Sequence, residues 1–260
     1  TMARARPWHD PERWLGALTL VVLVGLLEAA VRGGGVNAAL VPAPSTVALR
    51  LSTILQTGDA WRPLGETLAL LAAAYAVGCA LAVAAGLAMG RSAWVHGLLE
   101  PLVEVLRPLP KPALLPPLIL FLGLGAPMKL TVIALGVFFP VLVNTVQGVR
   151  GTEPVMLDAA RTFGHSRLHT LLAVVLPASL PMVLAGMRVS LGLGLVLVIV
   201  AEMMAGTGGV GYLILDMQRS FRVPEMYAWI VILAVLGWAL NAVFVSVEGR
   251  VTRWSYATRD

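Results

Sequence analysis

Six stretches of this sequence are apolar enough and long enough to cross a lipid bilayer as helices. A spanning helix takes about 20 mainly apolar residues at a rise of about 1.5 Å each. Residues 14–31, 67–89, 98–124, 128–147, 171–204 and 226–247 meet that requirement. Of the 260 residues, 58% are hydrophobic and 13% charged. Soluble domains are roughly 45–50% apolar and about 25% charged. A water-soluble globule, a disordered chain and a fibre all fit this balance poorly. The expected fold is an all-α membrane protein of about six transmembrane helices.

The third stretch departs from a simple span. Pro101, Pro108, Pro110, Pro112, Pro116 and Pro117 fall within it, and each proline removes a backbone donor and crowds the preceding turn. Residues 98–107 read as an interfacial helix, with the true span starting near Ala113. Irregular backbone at membrane depth is tolerated only against protein or water, so this segment is expected to face the inside of an assembly. Arg107 and Lys111 bracket the break, where they can satisfy freed carbonyls or snorkel to the headgroups.

Charge counting orients the spans. Arg4, Arg6, Arg13, Arg91, Arg150, Arg161, Arg167, Arg250, Arg253 and Arg259 fall on one side, ten in all. Arg32, Arg50, Arg62, Lys129, Arg219 and Arg222 fall on the other, six in all. Both termini are therefore expected in the cytoplasm. The first apolar run follows charged residues and lacks a small-residue cleavage site, so it reads as a retained span. The net charge of +5 is diffuse and suits loops beside anionic lipid, with no nucleic-acid footprint. The single cysteine, Cys79, leaves no internal disulfide and no Cys-based zinc site. His165 and His169 lack the Glu and further His of a zincin.

Small residues at four-residue spacing replace the hydrophobic drive between helices in lipid. Ala74, Gly78, Ala82, Gly86 and Gly90 form one such ridge, and Gly186, Ser190 and Gly194 form another. Both read as helix-contact faces.

Between the fourth and fifth spans lies a segment too short and too charged to cross. Thr152 is the expected N-cap, Glu153 and Pro154 suit the first turn, and Gly164 suits the position just past the end. The helix between would be about 16 Å long. Val155, Met156, Ala159, Ala160 and Phe163 fall on one stripe, with Glu153, Asp158, Arg161 and Thr162 on the rest. Asp158 and Arg161, three apart, can pair. An apolar face with nothing local to bury it either lies on lipid or inserts into a groove on a cytoplasmic partner.

The same segment carries a resemblance. Asp158-Ala159-Ala160, then three residues, Gly164, nine residues, Val174, one residue, Leu176-Pro177 resembles the EAA loop of ABC importer permeases, E-A-A-x₃-G-x₉-I-x-L-P, with Asp for Glu and Val for Ile. Arg107-Pro108-Leu109-Pro110-Lys111-Pro112-Ala113-Leu114, Phe121-Leu122-Gly123-Leu124-Gly125, Phe138-Phe139-Pro140, Asn144-Thr145, Gly186-Met187-Arg188, Ala201-Glu202 and Gly208-Gly209-Val210-Gly211-Tyr212-Leu213 resemble the nitrate/sulfonate/taurine/bicarbonate branch of that family. The likeness covers roughly residues 60–250.

The resemblance implies a type I importer permease of a bacterial inner membrane, working by alternating access. Its expected partners are a second permease copy, two ATP-binding cassette subunits, a periplasmic or lipoprotein substrate-binding protein, and membrane lipid. Residues 153–164 would be the coupling helix that sits in the ATPase cleft. Glu153, Val155, Met156, Asp158, Ala159, Ala160, Arg161, Phe163 and Gly164 are its expected contact residues. ATP and Mg would bind the partner ATPases, with no cofactor in this chain. The cargo would be a small solute, with an organic or inorganic anion such as a sulfonate, taurine or nitrate favoured. The organisation expected is 1–13 cytoplasmic, 14–63 first span and external loop, 64–250 permease core, and 251–260 cytoplasmic tail.

Ionisable groups inside spans are functional candidates, because burying them costs a few kcal/mol. Arg188 falls near mid-membrane. Glu202 lies about 21 Å further along the same helix, within about 40° of the same face. That face could line a path, with Arg188 attracting an anion, or Arg188 could bond helix carbonyls at a dimer interface. Asn144 and Gln147, one turn apart, could line the path or bond across helices. Glu28 and Glu248, near span ends, need no special account.

Two other readings fail on context. Gly206-x-Gly208-x-x-Gly211 follows a membrane helix and not a strand, so it is a glycine-rich turn and not a dinucleotide fingerprint. Lys111 follows Pro110 and Lys129 follows Met128, so no P-loop is present and the chain is not expected to be an enzyme. The competing function is a self-sufficient secondary transporter or channel. Such transporters usually carry internal repeats with matched broken helices, and none is visible here.

Overall fold

The computed structural model describes residues 11–252. The sequence ends expected in the cytoplasm, 1–10 and 253–260, lie outside the described residues. Every regular element among the described residues is helical. In chain order they are α1 (Pro11–Arg32), α2 (Pro44–Thr57), α3 (Trp61–Arg91), α4 (Ala93–Leu106), a 3₁₀ turn (Lys111–Leu114), α5 (Leu115–Leu122), α6 (Ala126–Arg150), α7 (Pro154–Thr162), α8 (Arg167–Thr170), a π turn (Leu171–Val175), α9 (Leu176–Ala205), α10 (Val210–Arg219) and α11 (Val223–Val251). Among the described residues five helical runs are long and apolar enough to cross a membrane, or six if the bent pair α4 and Lys111–Leu122 counts as one.

The chain forms two compact units. Among the described residues, one comprises those up to Ala60 with Ile214–Ile232, and the other Trp61–Leu213 with those from Leu233 onward. In the first unit, the connection expected as an external loop contains α2. Pro44 starts it at N1, where its missing N–H is no loss. Glu28 anchors that start by accepting bonds from the Ser45 N–H (2.9 Å) and hydroxyl (2.7 Å). Glu28, expected to need no account, therefore fixes the α1–α2 corner. Ala228, Trp229 and Ile232 are buried, and Glu225 pairs with Arg50 (3.7 Å) and Arg222 (3.6 Å).

The second unit is built on α3, α6 and α9. The first small-residue ridge faces α6. A Cβ on Gly78, Gly86 or Gly90 would lie 3.1, 2.6 and 2.6 Å from the Cβ atoms of Val137, Thr145 and Val149. Partners advance in the same chain order, so α3 and α6 run parallel. A Cβ on Gly186 would lie 2.7 Å from Asn144 Cβ, and one on Gly148 would lie 2.9 Å from Met182 Cβ. Here the order reverses, so α9 runs antiparallel to α6. These contacts realise the close backbone approach that small residues permit in lipid.

Two parallel spans require the chain to return across the bilayer between them, and only residues 93–122 are available. That return is not one helix. α4 and the Lys111–Leu122 segment meet at a 91° bend. The 98–124 stretch is thus two helices, broken where the prolines led the sequence to place an interfacial helix followed by a span starting near Ala113. Pro108, Pro110 and Pro112 supply the reason, since none can donate to the ladder. Lys111 Nζ takes over the stranded carbonyls of Leu106 (2.7 Å), Leu109 (3.0 Å) and Arg107 (3.2 Å). It also sits 4.4 Å from the Phe139 ring centroid. The fifth span begins at Arg167, earlier than expected, and widens to a π turn at Leu171–Val175, next to the donor-less Pro177.

Candidate functional site

The α7 helix is set by its two ends. Proline pushes the preceding residue to extended backbone, and Glu153 has φ −59° and ψ 130°. Glu153 is therefore the N-cap and Pro154 is N1, which corrects the expected cap at Thr152. Thr152 is buried, and its hydroxyl oxygen has no hydrogen-bond partner among the described residues. At the other end Gly164 takes φ +72°, a conformation nearly free for glycine and costly for residues with a Cβ. The Gly164 N–H donates to Arg161 O (2.9 Å) and the His165 N–H to Ala160 O (3.1 Å). This pair of bonds is the Schellman closure. The nine-residue helix is thus shorter than the expected 153–164.

The expected apolar stripe is divided. Ala160 turns inward at 4% exposure, with Leu157 half-buried. Val155, Met156 and Phe163 stand out at 75%, 47% and 78%, and Ala159 is exposed with them. Asp158 and Arg161 pair at the surface, 2.9 Å apart. The result is a rigid, short helix fixed to the chain by one side and bare on the other.

The four expected path residues do not share a wall. Asn144 lines a cavity of about 520 Å³ with Arg107, Lys111, Phe139 and Val189. Its amide nitrogen donates to Pro140 O (2.8 Å) within its own helix. Gln147 lines a second cavity of about 510 Å³, together with Arg107, Glu100, Glu104 and Arg150. Arg107 and Val143 border both. Arg188 lies elsewhere. Its guanidinium is 3.8 Å from Glu248 and 3.4 Å from the Asn241 side-chain oxygen. Glu248 is therefore an ion-pair partner, which corrects its reading as a residue needing no account.

Glu202 is the clearest correction. It is 2% exposed and is enclosed by the glycine-rich turn. Its carboxylate accepts from the Thr67 hydroxyl (2.9 Å) and the Gly211 N–H (2.9 Å). The Thr67 oxygen in turn accepts the Val210 N–H (2.9 Å), and Glu66 accepts the Gly209 N–H (2.9 Å). Gly209 has φ +88°, and a Cβ there would collide with the Glu202 carboxylate. Two carboxylates and a hydroxyl thus hold the start of α10, where free N–H groups favour negative charge. Face angle along one helix put Arg188 and Glu202 together, but neighbouring helices decided their surroundings. Thr67 and Glu66 were missed because their partners lie over 130 residues away. The only available signal was that a glycine turn with freed N–H groups needs acceptors. Among the described residues no three His, Cys, Asp or Glu side chains converge to hold a metal.

The family described as the binding-protein-dependent transport system inner membrane component matches residues 78–254. A chain of Bacillus subtilis (strain 168) named as an aliphatic sulfonates transport permease protein, SsuC, is 31% identical over 252 residues, covering 96% of this chain and 91% of that one. The taurine transport system permease protein TauC of Escherichia coli (strain K12) is 31% identical over 218 residues, covering 82% and 79%. The fold also matches a solved MetNI methionine ABC transporter chain in an inward-facing conformation, with a TM-score of 0.62 at 19% identity, covering 72% of this chain and 93% of that one. Family match, relatives and helical spans together make this chain a multi-pass inner-membrane permease of the binding-protein-dependent ABC transporter family, in its nitrate/sulfonate/taurine branch.

Proposed function

We propose that this chain forms the translocation path of an ATP-driven importer for a small anionic solute of the sulfonate, taurine or nitrate class. One observation carries the coupling half of that reading: α7 is capped at both ends, seated through Ala160, and bare at Val155, Met156 and Phe163. A helix of that kind transmits a push to the spans on either side of it, α6 and α8–α9. Its face fits the groove of a separate ATPase subunit, which would hold ATP and Mg. A second permease copy would complete the path, and a binding protein would deliver the solute on the opposite face. Both termini are proposed to lie on the α7 side.

Asn144 and Gln147, joined by Arg107, are the path residues this reading retains. Arg107 forms no ion pair among the described residues and borders both cavities, of which the Asn144 cavity is lined by Arg107 and Lys111 and by no carboxylate. The family names of the relatives support the anionic cargo.

The test is uptake into vesicles holding this chain with and without its ATPase and binding protein. Uptake should need all components and ATP. Phe163→Asp should abolish uptake and ATPase association while leaving membrane insertion intact. Full uptake by this chain alone would sink the proposal and favour a secondary transporter.

A further inference from the structure

Beside α7 the second unit holds a cavity of about 700 Å³ whose lining includes Arg91, Ser92, Arg161, His165, Arg167 and Leu168. No carboxylate lines it. Arg161 already pairs with Asp158, but among the described residues Arg91 and Arg167 form no ion pair. Arg91 is the last residue of one spanning helix and Arg167 the first of another. Two helix ends meeting in one pocket bring both arginines to the polar end of their spans, on one side of the bilayer.

We propose that this pocket binds the phosphate of an anionic phospholipid, with Arg91 and Arg167 as the charged contacts. Basic pockets between spanning helices suit such headgroups, and each arginine near the surface contributes about 1 kcal/mol toward an anionic lipid. The surroundings favour a lipid over an acidic segment of a soluble partner. Leu168 and Leu172, further into the same span, are 65% and 53% exposed and lie where an acyl chain would run. Trp94, just past Ser92 in sequence, is 77% exposed, as interfacial tryptophans are. The pocket also touches α7 through Leu157 and Arg161, so its occupant braces the helix proposed to couple to the ATPase. The site itself is independent of which solute crosses.

The test is native mass spectrometry of the full chain in mild detergent, titrated with phosphatidylglycerol and, separately, phosphatidylcholine. Phosphatidylglycerol should stay bound to the wild type and to Arg91→Lys/Arg167→Lys. It should bind about thirtyfold more weakly to Arg91→Gln/Arg167→Gln and about fivefold more weakly to either single Gln variant. Phosphatidylcholine retention should be equal in all of them, which reports intact folding. Inorganic phosphate at millimolar concentration should not displace the lipid. Unchanged phosphatidylglycerol binding in the double Gln variant overturns the proposal. So does full displacement by phosphate, which would mark a free-anion site. Loss of ATPase association with lipid binding retained also overturns it, and would assign the pocket to a protein partner.

Discussion

Thr67→Val isolates the bonds that hold the glycine turn. The Thr67 side chain is fully buried, and valine keeps its shape while removing the hydroxyl. Two interactions are lost at once. Glu202 loses a donor, worth about 0.6–1.7 kcal/mol for side-chain bonds in membrane proteins. The Val210 N–H loses its acceptor and stays buried, which costs about 1–3 kcal/mol. Together the start of α10 should be destabilised by about 2–4 kcal/mol. If the turn opens locally, amide exchange in residues 206–213 should accelerate between about thirtyfold and about a thousandfold. Hydrogen-exchange mass spectrometry of the purified full chain reads this directly. Thr67→Ser keeps both bonds and should exchange at a near wild-type rate. Equal protection in the Val variant would refute the view that Thr67 and Glu202 hold this turn.

Three further outcomes are expected. Gly86→Ala should cost about 1–3 kcal/mol in thermal unfolding, because its Cβ would lie 2.6 Å from Thr145 Cβ; Gly97→Ala, in α4 with nothing within 4 Å, should instead gain about 0.5–1 kcal/mol. Lys111→Met should lower the melting temperature, with a loss of about 2–3 kcal/mol, since it strands carbonyls that a charged donor satisfied; an unchanged melting temperature would mean that the bend is held by packing alone. A double-mutant cycle of Arg188→Gln and Glu248→Gln should give a coupling above about 1 kcal/mol, because the pair, 3.8 Å apart, joins two membrane-spanning helices where bulk water does not screen it; a coupling near zero would mean that the two charges do not act on each other.

The legible parts of this protein share one property: their cause lies within a few residues. The helix at Pro154–Thr162 could be read because Pro154 and Gly164 act on their immediate neighbours. The ridge from Ala74 to Gly90 was readable as a contact face because a fixed spacing defines a face. Even there the reach was limited. The cap moved from Thr152 to Glu153 because the restriction imposed by a proline on its predecessor outweighed the preference for a hydroxyl. The helix at Pro44–Thr57 was missed because its mixed sequence lacks the sustained apolar run that marks a span.

Length, apolarity and glycine spacing in the sequence alone determined that this chain lives in a bilayer as helices, which ridges touch, and where a short stiff helix sits between two spans. The tertiary structure alone decided that α3 packs against α6, that Arg188 pairs with Glu248 while Glu202 is sealed under a glycine turn, and that Arg91 and Arg167 share a pocket. The reason is physical: a helix's faces follow from its own periodicity, but what each face meets depends on helices brought to it from far along the chain, and hydrogen bonds and charges take their meaning from those neighbours.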